Sequence, residues 1–282
     1  MDFSVFSLPL IVILLWTGSN SFIKKSLKSM SPDAISISAI GMGLLPIFIF
    51  VFFDGGFSFS PYVIILGAIS GALLGSGYLL FYRGLGVESL STAGVTLNIQ
   101  QIVVITIGIF FLKESLNNYE YIAILFVILG AMLVTIQNAP AKRKFLIMAG
   151  IANVIWGIYY LPLSESILLV NFSALPLFMG RLFGFLFVLL TTAFLKRPEH
   201  REKINRSAIL FVLAAGLLDG MGNVLYSYTI QLKIFIISGA IVALLPAILA
   251  ITGFIYFKDR MTPMKITGIL LSVLGALLIS MT

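Results

Sequence analysis

Arg181 and Asp219 are the ionisable side chains set deepest in the long apolar runs of this sequence, about nine and about twelve residues into theirs. A bare charge in hydrocarbon costs from about 2.5 to over 10 kcal/mol, so each must face the protein interior or a wet cavity. Two readings stay open. In one, the pair forms a salt bridge that locks neighbouring helices. In the other, Arg181 meets a substrate carboxylate or phosphate, or Asp219 takes up a proton or a cationic group. Trp16 and Trp156 fall in the middle of their runs, away from the interfacial belt where membrane tryptophans usually sit. Asn20 lies one turn beyond Trp16, and Tyr159 and Tyr160 fall three and four residues beyond Trp156, so each helix would carry an aromatic and polar stripe on one face. Such stripes serve either packing or a cavity wall that stacks on flat, amphipathic solutes. Asn98 and Gln101 are three apart, while Asp219, Asn223 and Tyr226 run at spacings of four and three. Amides at that depth need partners, supplied by a neighbouring helix or by a polar pocket. The candidate solute-binding residues are therefore Trp16, Asn20, Tyr78, Asn98, Gln101, Trp156, Tyr160, Arg181, Asp219 and Asn223.

The chemistry that is missing narrows the function. Cysteine is absent, which removes disulfides and thiolate chemistry, and the one histidine, His200, sits in a charged loop. There is no GxxxxGK[ST] phosphate loop, no Ser-His-Asp set and no His-Glu-x-x-His. No enzyme, metal site or cofactor is expected. The net charge of +7 comes from short basic clusters between apolar runs, without the aromatic interleaving of a nucleic-acid surface.

The elements that must hold these residues are membrane spans. Hydrophobic residues make up 60% of the chain and charged ones 10%, a surplus no water-soluble fold could bury. A span takes about 20 mostly apolar residues. Ten such stretches fall near 4–24, 33–53, 61–82, 89–112, 119–137, 145–164, 172–195, 207–230, 233–257 and 263–281. The first is read as a retained span rather than a cleaved leader, because no positive region precedes it. Breakers such as Ser31-Pro32, Asp54-Gly55-Gly56, Asn117-Asn118 and the charged run 196–206 separate the spans, and every link is short. Glu165 closes the sixth span, and Pro246 sits mid-way along the ninth, where it can kink the helix or free a carbonyl.

The sequence also repeats. A shift of 140 lays Trp16 on Trp156 and Gly41 on Arg181; a shift of 145 lays Gly71 on Gly216, Gly75 on Gly220, Gly94 on Gly239, Gly108 on Gly253 and Gly130-Ala131 on Gly275-Ala276. Asn223 overlays Tyr78, and Pro246 answers Gln101, in the same register. Residues 1–140 and 141–282 are then two five-span copies, and because five is odd they enter the membrane from opposite sides. Glycines spaced by four, at 67, 71 and 75 and again at 216 and 220, are packing faces. Of the 18 Lys and Arg residues, 15 follow spans 1, 3, 5, 7 and 9, which puts that side in the cytoplasm and both termini outside a cell membrane.

Leu15-Trp16-Thr17-Gly18-Ser19-Asn20 and its echo Ile155-Trp156-Gly157, Tyr78 to Leu85 (YLLFYRGL), Lys113-Glu114 and Lys258-Asp259 together carry a resemblance. Across nearly the whole length, the chain resembles the drug/metabolite transporter superfamily in its ten-span EamA-type branch. That resemblance implies an all-α inverted five-plus-five bundle with a central cavity lined mainly by spans 1, 3, 4, 6, 8 and 9. It also implies solutes ranging over amino acids, other metabolites, sugars and nucleotide sugars. The membrane glutamate that couples proton and drug in the four-span relatives has no counterpart in Ile11-Val12-Ile13-Leu14-Leu15. The sequence thus leads us to expect an alternating-access exporter or exchanger of a small organic metabolite such as an amino acid. A coupled ion or counter-substrate, a homodimer, a sugar-type cargo, a non-transporting structural or receptor role, and a channel remain as alternatives.

Overall fold

The computed structural model describes residues 3–57, 59–85, 90–135, 143–195, 205–258 and 260–280. His200, most of the 196–206 run, the 136–142 link, Glu88 and Asp259 lie outside them. The described residues are helical, in the order α1 (Phe3–Ser26), α2 (Pro32–Val51), α3 (Pro61–Leu85), α4 (Leu90–Phe110), α5 (Asn118–Thr135), α6 (Arg143–Val170), α7 (Ala174–Leu195), α8 (Arg206–Gln231), α9 (Phe235–Val242), α10 (Leu245–Phe257) and α11 (Pro263–Ser280). Seven helical segments are long and apolar enough to cross a bilayer, counting α9 and α10 as one, and three shorter apolar helices join them. Large apolar side chains point outward all around the bundle, with Leu14 66%, Leu190 59% and Leu270 65% exposed. Such a surface is stable only in lipid, so this is a multi-pass membrane protein.

Local chemistry sets the helix ends. Ser31 caps α2 by accepting from the Ala34 N–H at 3.3 Å, with Pro32 opening the helix. Asn117 and Glu120 form a capping box on α5: the Glu120 N–H donates to Asn117 Oδ1 at 2.9 Å, and the Asn117 N–H donates to Glu120 Oε2 at 2.7 Å. Two helices borrow caps from far along the chain. Asp54 Oδ2, just past α2, accepts from the Ser173 and Ala174 N–H groups that start α7, at 2.7 and 2.8 Å. Glu114, past α4, accepts from the Phe235 and Ile236 N–H groups that start α9, at 3.1 and 2.8 Å. Burial pushes the Glu114 carboxyl above its ordinary 4.5, and the two backbone N–H groups only partly offset this. An acid whose pKa is raised by folding contributes stability that is complete below 4.5 and lost as pH climbs through the raised value. Glu114→Gln should therefore flatten the fall in thermal midpoint between pH 4.5 and neutrality, read by unfolding scans in detergent. An unchanged slope would remove Glu114 as its source.

Helix packing has a two-fold pattern. α1 packs on α8 as α3 packs on α6, and α2 on α8 as α7 on α3, while α5 packs on its own counterpart α11. Directions follow from the contacts. Gly77 meets Trp156 and Gly84 meets Phe145, so α3 and α6 are antiparallel; Gly18 meets Leu218 while Ser26 bonds Ala208, so α1 and α8 are antiparallel too. Gly67, Gly71 and Gly75 meet Met179, Gly184 and Val188 in turn, so α3 and α7 run together. The first and third helices of one half thus run opposite to those of the other, as inverted copies must.

Two expectations need correction, and a third, the kink at Pro246, takes a definite place. The sixth span does not stop at 164: α6 runs through Pro162 to Val170, because a helix can overshoot the apolar thickness when its last turns find partners. Glu165, on that added stretch, is exposed and accepts from the Tyr62 hydroxyl at 3.1 Å. The ninth span is broken at Ala243-Leu244, in the turn before Pro246 where a proline removes its hydrogen bond, and Pro246 sits in the first turn of the new helix α10, which is the kink its position led us to expect. The register of the second helix pair is 141, not 140. A Cβ on Gly71 would meet the Gly180 carbonyl and Phe183 Cβ, while one on Gly216 would meet the Ala39 carbonyl and Met42 Cβ. Arg181 therefore answers Ile40 rather than Gly41.

Candidate functional site: a central aromatic cavity

Between the halves lies a cleft of about 550 Å³, mouth included, lined by Trp16, Ser19 and Asn20 of α1, Leu74, Tyr78 and Tyr82 of α3, Leu97 and Gln100 of α4, Trp156, Tyr159 and Tyr160 of α6, Asp219 and Asn223 of α8, and Leu245 of α10. The walls are related by the repeat: Trp16 faces Trp156, and Leu74, Tyr78 and Gln100 answer Asp219, Asn223 and Leu245.

Each tryptophan is seated on a glycine of the opposite half. The Trp156 indole lies against Gly77 and that of Trp16 against Gly222, the repeat equivalent. Only a side chain reduced to hydrogen lets a ring approach a helix so closely. Aromatic neighbours complete the walls. Trp156 packs at 5.2 Å on Tyr78 and 5.0 Å on Phe81, and Trp16 at 5.3 Å on Tyr226, the counterpart of Phe81. Beyond Tyr160, the Tyr226 and Phe235 rings close one end of the cleft and are fully buried.

Asp219 is the one charged wall residue among those described. Its Oδ2 is held by Arg181 Nη2 at 2.7 Å and by the Tyr78 hydroxyl. Arg181 stands behind the wall, 0% exposed, with a partner on every nitrogen: Nε donates to the Ile40 carbonyl and Nη2 to the Ala39 carbonyl, both at 3.1 Å, and Nη1 to the Tyr78 hydroxyl at 3.5 Å. A planar guanidinium with five N–H groups is suited to tying α2, α3, α7 and α8 at one point. Asp219 Oδ1 has no donor among the described residues. The two asparagines are oriented alike: Asn20 Nδ2 donates to the Trp16 carbonyl and Asn223 Nδ2 to the Asp219 carbonyl, each at 2.8 Å.

Of the ten candidates read from the sequence, Trp16, Asn20, Tyr78, Trp156, Tyr160, Asp219 and Asn223 come together on this wall. Arg181 does not, because Tyr78 and Asp219 stand between it and the cleft. Gln101 does not either: it is buried and accepts from the Tyr226 hydroxyl at 3.1 Å, while Gln100, a third of a turn away, faces the cleft. The Asn98 side chain is outside the described residues. Reading the sequence missed Tyr82, which a spacing of four from Tyr78 places on the same face, together with Ser19, Leu74, Leu97 and Leu245.

Comparison with known proteins agrees with this architecture. The sequence model of the EamA-like transporter family matches twice, over residues 4–136 and 143–281. No curated protein sequence matches. One crystal structure is similar to this chain with a TM-score of 0.75, covering 98% of this chain and 98% of its own at 16% identity, a likeness of fold alone.

Proposed function

We propose that this chain, which belongs to the EamA-like transporter family, works as an alternating-access carrier. Membership makes it a membrane transporter built of two repeats. The finer reading is a ten-span carrier, both termini outside, that exports or exchanges a small organic metabolite such as an amino acid or a relative. One chain is enough to enclose its cavity.

The observation that carries this reading is an asymmetry between otherwise matched walls. Trp156 Nε1 donates to the Leu74 carbonyl at 3.3 Å. By the repeat, Trp16 Nε1 should donate to the carbonyl of Asp219, but Asn223 occupies that oxygen and the Trp16 Nε1 is buried without a partner. Inverted copies in unlike states are what a carrier caught facing one side requires, since the opposite-facing state exchanges their conformations. In that second state Trp16 takes the Asp219 carbonyl and Trp156 releases Leu74.

Counterflow tests the reading. Proteoliposomes preloaded with unlabelled solute should take up labelled solute transiently above equilibrium, with saturable initial rates. Linear, non-saturating flux would make the protein a pore, and no flux for any member of a broad metabolite panel would make it a scaffold.

A further inference from the structure

We infer that the cavity selects solutes bearing a protonated amine, with Asp219 Oδ1 as the docking atom for the ammonium. This rests on the carrier reading and names its substrate class. The argument is an inventory of what the wall offers. Asn20 and Asn223 each turn their NH2 group toward a carbonyl of their own helix, which leaves both Oδ1 atoms as acceptors beside the cleft. Asp219 adds a carboxylate oxygen with no donor. Among the described lining residues there is no Lys, Arg or His. Arg181 neutralises the carboxylate from behind, so a solute meets the negative end of the ion pair and never the positive one.

The aromatic residues point the same way. Trp16, Trp156, Tyr78, Tyr82, Tyr159 and Tyr160 line one small volume around that oxygen. Ring faces attract cations, most strongly when water is excluded. Asp219 carries the one charge on the described lining, so a solute anion would meet a carboxylate, ring faces and neutral donors such as Gln100, with its nearest cation sealed behind Tyr78. Of the two site roles the sequence left open, a carboxylate or phosphate on Arg181 and a cationic group on Asp219, the inference takes the second: the acid, not the base, is the anchor.

Three isosteric probes decide the matter in lipid nanodiscs at pH 7: tryptamine, tryptophol and indole-3-propionate, with a cationic, a neutral and an anionic end on the same ring. Calorimetry should give tryptamine at least about tenfold tighter than tryptophol, with indole-3-propionate weakest; tenfold is about 1.4 kcal/mol. Asp219→Asn should bring the tryptamine to tryptophol ratio close to one. The wild-type comparison needs no variant, so poor folding of D219N leaves it decisive. Equal or tighter binding of indole-3-propionate, or no binding of any probe, overturns the inference. Counterflow separates it from the carrier reading: selective tryptamine binding without counterflow of any solute supports the amine site and sinks the carrier, whereas counterflow of solutes lacking an amine, with tryptamine unbound, does the reverse.

Discussion

Replacing Asp219 by leucine will destabilise the protein by about 3–5 kcal/mol, and adding Arg181→Met to the same chain will return most of the loss. The asymmetry lies in what each change leaves behind. Arg181 is 0% exposed and cannot be deprotonated, so removing the carboxylate leaves a full positive charge with two helix carbonyls and a phenol as its only company. Those carbonyls, of Ala39 and Ile40, belong to α2 and solvate the charge weakly. Removing both ends leaves no charge to solvate, and a methionine fills the slot with an apolar chain of similar length. Function separates from stability in the same pair of variants. The double variant should unfold close to the wild-type midpoint in detergent yet lose its preference for tryptamine, because the docking oxygen is gone. Wild-type stability of D219L alone would mean that the guanidinium is solvated by something other than Asp219. With Asp219 as the docking acid inferred above, the two sequence readings of this pair, a lock or a site, are not rivals: Arg181 would be the lock and Asp219 would have one oxygen in each role.

Periodicity explains why so much of the wall could be read from sequence. Trp16 with Asn20, and Trp156 with Tyr160, are spaced by four on uninterrupted helices, and a helix converts that spacing into a shared face without help from its neighbours. Depth is likewise a matter of counting, which is why Arg181 and Asp219 were both placed at mid-span. Which way a side chain turns is not. Gln100 and Gln101 sit at one depth, and a difference of about 100° decides that the first faces the cleft and the second meets Tyr226. The long-range caps were illegible for another reason. Asp54 and Glu114 look like loop acids, and only folding brings them to helix starts some 120 residues further along the chain. The repeat, by contrast, was legible wherever glycines marked close approach, and it slipped by one residue where the second helix pair offered Gly41 as its only guide.

Valine at Gly130 and valine at Gly275 will each destabilise the protein at the upper end of the overpacking range, about 1–3 kcal/mol, and by amounts equal to within about 0.5 kcal/mol. Both positions lie where α5 and α11 touch backbone to backbone. A Cβ on Gly130 would strike the Ser272 N–H and, at 2.6 Å, the Gly268 carbonyl; one on Gly275 would come within 2.7 Å of the Ala123 carbonyl and the Val127 nitrogen. Ser272 answers Val127 and Gly268 answers Ala123 in the 145 register, so the two substitutions insert the same atoms at equivalent points of one interface. Main chain cannot rotate aside as a side chain can, so the helices must part. Once parted by the first valine, they have less to lose to the second. The double variant should therefore cost clearly less than the sum of the singles, a positive coupling measurable in a double-mutant cycle of unfolding free energies. Plain additivity would mean that the two contacts open independently, and widely different single costs would mean that the repeats do not meet about a common axis at α5 and α11. That axis is what gives the cavity its paired walls, since the same register that matches Gly130 with Gly275 matches Tyr78 with Asn223.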